Sequence, residues 1–154
     1  MLNRYQAVFA SLQRHDVRYV VIGGIAAVLH GVPRATFDLD ILIKATRDNA
    51  QRLLDALEEA GLGTALMTTP ESVTEQEITV FLDRVRIDVQ TATPGLDFDA
   101  AWDRRDEVFY EGQAMQVVAL KDLIASKSKS GRPVDLEDVR ILRSLCEPDD
   151  GEPR

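Results

Sequence analysis

The stretch Phe37-Asp38-Leu39-Asp40-Ile41-Leu42-Ile43 limits the possible folds of this chain more than any other. Its apolar and β-branched content reads as a buried strand, yet it carries two carboxylates two residues apart. Side chains alternate along a strand, so Asp38 and Asp40 project from one face while Leu39, Ile41 and Ile43 go to the other. Two neighbouring carboxylates repel each other, and apolar flanks solvate them poorly, so something cationic must offset the cost. A hard divalent ion does so, because Mg²⁺ commonly binds through one or two carboxylates together with substrate phosphates. The plainer alternative has both acids at a strand end, facing solvent or pairing with Arg34.

The remaining periodicities predict alternating helices and strands. Residues 3–14 read as a helix with Tyr5, Val8, Phe9 and Leu12 at helical spacing, and Arg18 to Ile22 as a buried strand that stops at Gly23-Gly24. A short Ala-rich helix from Ile25 to His30 ends at Gly31, and an amphipathic helix over 47–60 runs between the cap Thr46 and Gly61. Alternating segments 77–82 and 85–91, joined across Asp83-Arg84, predict an antiparallel hairpin. A short helix near 97–104, strand material around 107–118, and helices over 120–129 and 133–146 complete the pattern, the last with Pro133 in its first turn. The hairpin rules out a purely parallel sheet. The expected architecture is therefore α/β (α+β): one mixed sheet flanked by helices, a single domain over residues 1–146, and a flexible polar tail over 147–154.

In Val85-Arg86-Ile87-Asp88-Val89-Gln90, alternation places Asp88 on the polar face. If this strand lies beside the Asp38 strand, a third carboxylate joins the pair, a set suited to two metal ions that assist an attacking hydroxyl and a departing pyrophosphate. Gly23-Gly24 sits between a strand and a helix start, where glycine lets backbone N–H groups approach an anion closely.

These features together resemble a known family. Val21-Ile22-Gly23-Gly24, followed by Gly31-Val32-Pro33-Arg34-Ala35-Thr36-Phe37-Asp38-Leu39-Asp40-Ile41-Leu42, is similar to the signature of the polymerase-β-type nucleotidyltransferase superfamily. The nearest likeness is to its minimal nucleotidyltransferases and the related toxin–antitoxin enzymes. The resemblance spans about residues 20–145 and implies a mixed sheet, metal ligation by Asp38, Asp40 and Asp88, and a triphosphate beside Gly23 and Gly24. It also implies phosphate contacts near Lys127 and Asp135, since Lys127, Gly131-Arg132-Pro133 and Asp135 are similar to a further segment of the family.

Lys127 continues the stripe of Leu120, Leu123 and Ile124, so it lies on the apolar face of its helix. It either snorkels at the helix end or reaches the phosphates. Asp135 at a helix start favours the dipole as well as a site, and Asp138 reads as a surface acid. Arg34 and Thr36 could touch phosphate or orient Asp38, with an internal salt bridge the alternative for Arg34. His15 reads as surface and His30 as a helix-end residue, neither with a partner at zinc-ligand spacing. Trp102, Phe98 and Phe109 read as core.

The formal net charge of −8 argues against a protein that coats nucleic acid, which works by neutralising phosphates. No apolar run is long enough for a membrane helix, and the single Cys146, on an apolar helical stripe, suggests packing in a reducing, cytoplasmic setting. The expected activity is transfer of a nucleoside monophosphate from a nucleoside triphosphate to a hydroxyl, with Mg²⁺ or Mn²⁺ as cofactor and pyrophosphate released. The acceptor is a protein, an RNA end or a small molecule. A non-catalytic module of the same fold, such as an antitoxin half with a toxin partner, is the alternative: Asp88 favours catalysis, and Gly24 in place of a serine favours the module. A plain α/β domain with solvated acids and no ligand is the third reading.

Overall fold

The computed structural model describes residues 2–146, with the side chain of Cys146 excepted. The expected tail over 147–154 and the packing expected of Cys146 lie outside the described residues.

A 3₁₀ turn at Leu2–Tyr5 leads into α1 (Gln6–Arg14), which buries Val8, Phe9 and Leu12. Strand β1 (Tyr19–Ile22) is buried along its whole length and runs directly into α2 (Gly23–Leu29), which starts two residues earlier than expected. Strand β2 (Leu39–Ile43) is followed by α3 (Arg47–Glu59), whose cap Thr46 accepts a 3.2 Å hydrogen bond from the Asn49 amide. The expected strand start at Phe37 is corrected to Leu39: Phe37 and Asp38 lie just ahead of the ladder and are exposed.

A 3₁₀ turn (Gly63–Met67) and α4 (Pro70–Glu75) fill a stretch for which sequence alone suggested no element. Thr69 capping the Ser72 amide, with Pro70 at the first helical position, explains why so short a helix forms there. The expected hairpin is β3 (Ile78–Leu82) with β4 (Arg86–Gln90). Then come α5 (Phe98–Arg104), a second hairpin of β5 (Asp106–Tyr110) and β6 (Gln113–Val117), α6 (Leu120–Ser130) and α7 (Pro133–Cys146).

The six strands form one mixed sheet in the order β3-β4-β2-β1-β6-β5. The β1/β2, β3/β4 and β5/β6 pairs are antiparallel; β1/β6 and β2/β4 are parallel. Leu39, Ile41, Leu42 and Ile43 are all buried, so β2 is covered on both faces over most of its length, with Asp40 as the polar break. Helix α1 packs on α3 and β6, α2 on β1, β2 and α6, and α6 on α7. Among the described residues no helix is long and apolar enough to cross a membrane.

Candidate functional site

Strands β2 and β4 run parallel with Asp40 directly opposite Asp88, so the two carboxylates stand side by side on one face. Asp38, two residues before Asp40, faces the same cleft of about 440 Å³. All three acids expected from sequence therefore converge. The buried Tyr5 holds the strand entrances together: its hydroxyl lies within hydrogen-bond reach of the carbonyl oxygens of Phe37 and, at 3.1 Å, of Arg86. That role was not legible in sequence, where Tyr5 read only as part of an apolar helix face.

Convergence is electrostatically costly. Burial, and then the neighbouring Asp88 and Asp38, push the Asp40 carboxyl up to about 7, against the opposing charge of Lys127. Arg86 answers part of this repulsion by forking onto Asp88, Nε to Oδ1 at 2.9 Å and Nη2 to Oδ2 at 3.4 Å. Arg86 was missed as a site residue, although its place two before Asp88 on β4 was the available signal. Among the described residues no group of three acidic, histidine or cysteine side chains stands in ready ligating geometry. The donor chemistry of the three acids nevertheless fits a hard cation: they offer carboxylate oxygens, and Asp40, buried and then crowded by Asp88 and Asp38, is pushed up to about 7.

Gly23 is required where it stands. Its φ is +68°, and a Cβ there would lie 2.5 Å from Oδ2 of Asp40. Gly23→Ala is expected to destabilise the protein by about 1–3 kcal/mol and to push the Asp40 carboxylate out of place. Thermal unfolding checks this: the melting temperature should decline. Gly24 is closed off for another reason, as its Cβ would meet Thr36 Oγ1 at 2.8 Å and Arg34 Nη2 at 3.2 Å. Thr36 and Arg34 thus pack against the glycine turn and are not part of the cleft lining.

Arg34 belongs instead to a buried ion network. Its Nη2 bonds Asp138 Oδ2 at 2.8 Å, and Lys127 Nζ lies 2.9 Å from both Asp135 Oδ1 and Asp138 Oδ2. Ser130 and Arg132 also bond Asp135. Lys127 is only 4% exposed, as its apolar stripe implied, yet it and Asp135 border the cleft. The expectation that Asp138 is a surface acid is overturned: it is 1% exposed, because α7 turns it inward between Arg34 and Lys127. Burial raises the Asp135 carboxyl, but hydrogen bonds from Ser130, Lys127 and Arg132 outweigh it and hold the group at about 2.

Other expectations sort plainly. Trp102 and Phe98 stack at 5.9 Å with the Arg105 guanidinium 3.6 Å over the indole, and both rings are half-buried. Phe109 is 64% exposed and is corrected from core to surface, since β5 is an edge strand with one open face. His30 ends α2 and bonds the Val118 carbonyl oxygen at 2.7 Å, while the partly exposed His15 pairs with Glu59.

A family model described as nucleotidyltransferase of unknown function (DUF6036) matches residues 3–145. The chain belongs to this family. Solved structures of the same fold include TM1012 of Thermotoga maritima, assigned as a nucleotidyltransferase, at TM-score 0.57 and 17% identity over 94% of this chain and 91% of that one. An antigenic nucleotidyltransferase-like protein of Paracoccidioides brasiliensis aligns at TM-score 0.55 and 17% identity, over 93% and 73% of the two chains. The lincosamide antibiotic adenylyltransferase LnuA, solved with lincomycin bound, aligns at TM-score 0.52 and 17% identity over 87% and 90%. No curated protein matches the chain. The mixed sheet of this family member is thus the nucleotidyltransferase fold that the Gly-Gly and Asp-x-Asp pattern led one to expect.

Proposed function

We propose that this family member transfers a nucleoside monophosphate from a nucleoside triphosphate to a hydroxyl, at the cleft of Asp38, Asp40 and Asp88. The observation that carries the reading is the in-register pairing of Asp40 with Asp88, which concentrates carboxylates where a bound cation would relieve their repulsion. Mg²⁺ or Mn²⁺ held by the three acids would neutralise the triphosphate and support the charge of the leaving pyrophosphate. In the reaction the acceptor oxygen bonds to the α-phosphorus, the bond to the β-phosphate oxygen breaks, and pyrophosphate departs.

The chain's own groups have distinct parts. Asp88, directly opposite Asp40 in the β2/β4 ladder, orients the acceptor hydroxyl and takes its proton. Gly23 leaves room for the backbone to approach the triphosphate. Lys127 commits two of its three N–H donors to Asp135 and Asp138 and keeps one for phosphate, with Asp135 fixing its position. Arg34 and Thr36 act through the shape of the glycine turn, where the Thr36 hydroxyl fills the space that a side chain at position 24 would take. That placement supports catalysis despite the glycine at position 24.

The acceptor would reach Asp88 over β3. Ile78, Val80 and Leu82 pair with Gln90, Asp88 and Arg86, so this exposed apolar row lies on the same face as the carboxylate. An apolar lip beside an acidic cleft suits a protein segment or a small organic hydroxyl better than a phosphate-rich RNA end. LnuA, a lincosamide antibiotic adenylyltransferase of the same fold, supports the small-acceptor side of this reading. The test is incubation with each of the four labelled nucleoside triphosphates and Mg²⁺, against cell protein, RNA and small-molecule fractions. Label transfer with stoichiometric pyrophosphate supports the reading. Tight nucleotide binding with no transfer to any fraction would favour the non-catalytic module and a toxin–antitoxin partner.

A further inference from the structure

Arg86 occupies a position that the transfer reaction leaves unexplained. It sits on β4 two residues from Asp88, and its guanidinium covers both oxygens of that carboxylate, at 2.9 and 3.4 Å. An arginine cannot shed its charge at any physiological pH, so the contact is a standing ion pair. Both side chains border the cleft, with Asp38 and Asp40 on the same rim. Among the described residues the Arg86 guanidinium has no other hydrogen-bond partner, and its side chain is close to half exposed. A buried arginine tied on several sides, such as a structural clamp, would look different. This one is held on one side only, by Asp88.

We propose that Arg86 is a displaceable placeholder cation: it stabilises the carboxylate cluster while the cleft is empty, yields Asp88 to an incoming divalent ion, and turns onto the triphosphate. This rests on the metal-nucleotide reading of the cleft. Two consequences follow from charge alone. A metal ion arriving without nucleotide must compete with the guanidinium for Asp88, so its affinity is depressed. A nucleotide arriving with the metal offers the displaced guanidinium new phosphate oxygens, a favourable bidentate partner, so metal and nucleotide bind with positive coupling. Arg86 is then a positioning residue that couples the two ligands and lowers loading of the site by metal alone.

The test is titration with Mn²⁺, followed by its electron-spin resonance signal at pH 8.5, with and without a non-hydrolysable nucleoside triphosphate. Wild type, Arg86→Ala, Arg86→Gln and Asp88→Asn are compared, with thermal unfolding as the control for folding. Arg86→Ala is expected to bind Mn²⁺ alone roughly threefold to fivefold tighter than wild type, the scale of a partly exposed ion pair. Its gain in Mn²⁺ affinity on adding nucleotide should shrink by a similar factor, and Arg86→Gln should change both in the same direction. Equal or weaker binding of Mn²⁺ alone by Arg86→Ala and Arg86→Gln, with wild-type binding still dependent on Asp88, overturns the placeholder and leaves the metal reading standing. Mn²⁺ binding unaffected by Asp88→Asn, or none by wild type with or without nucleotide, overturns the metal reading and the placeholder together.

Discussion

Asp40→Asn is expected to abolish nucleotide transfer while raising the melting temperature of the metal-free protein. The two effects have one cause. Asp40 is held at about 7 by burial, then by Asp88 and Asp38, whereas an aspartate in the unfolded chain titrates near 3.8. Below the unfolded value the group is protonated in both states and costs nothing. As pH rises from about 4 to about 7 the unfolded chain releases a proton that the folded one retains, so folding loses stability, and the penalty is complete above about 7. The metal-free protein should therefore melt several degrees lower at pH 8 than at pH 5 through this residue. Asparagine cannot ionise, so the variant should flatten that decline, and Mg²⁺ with nucleotide should flatten it in wild type. Transfer by the variant should fall by roughly 10²–10³-fold or more, as for loss of a group that organises transition-state charge. Differential scanning calorimetry across pH, with a pyrophosphate-release assay, reads both. A variant no more stable than wild type at pH 8 would contradict the account of the cluster as a repelling set.

The second large effect is on stability in the opposite direction. Lys127→Met removes the cation shared by Asp135 and Asp138 and leaves two buried carboxylates to Arg132, Ser130 and Arg34. Breaking a buried pair from one side costs about 3–5 kcal/mol, which in a domain of this size corresponds to a drop of roughly 10 °C in melting temperature. Adding Asp135→Asn to Lys127→Met should restore part of the stability without restoring nucleotide binding, because the proposed phosphate donor stays absent. Wild type should also lose stability in acid. Asp135, held at about 2, contributes stability above the ordinary carboxylate range that disappears as pH falls through about 2, and Asp138 is lowered likewise by Arg34 and Lys127 against its burial. Circular dichroism melts of the single and double variants decide this. A Lys127→Met protein that melts like wild type would show that the network carries no net stability.

The sheet and the acid cluster were legible because they rest on period and register. Alternation in β2 and β4 aims Asp40 and Asp88 to the polar side wherever those strands pair, and the tight hairpin at Asp83-Arg84 fixes where β4 begins. The stripe of Leu120, Leu123, Ile124 and Lys127 placed the lysine inside for the same reason. What stayed hidden depends on distant partners. Asp138 sits three residues after Asp135 on α7, a spacing equally suited to a solvated helix face. Only the approach of Arg34, 104 residues away in sequence, and of Lys127 on α6 makes it interior. Tyr5 is a core aromatic by pattern, and its link to the segment leading into β2 and to the start of β4 exists only once α1 packs under the sheet. Phe109 misleads for the converse reason: its apolar character says nothing about β5 being an edge strand.

The most direct measurement is calorimetric titration of the wild-type protein with the Mn²⁺ complexes of non-hydrolysable nucleoside triphosphates, repeated on Asp40→Asn and Asp88→Asn. Saturable binding by wild type of at least one complex, weakened on the order of 100-fold in both variants, is the predicted result. Equal affinity in all three proteins would mean that the paired carboxylates of β2 and β4 do not hold the metal-nucleotide.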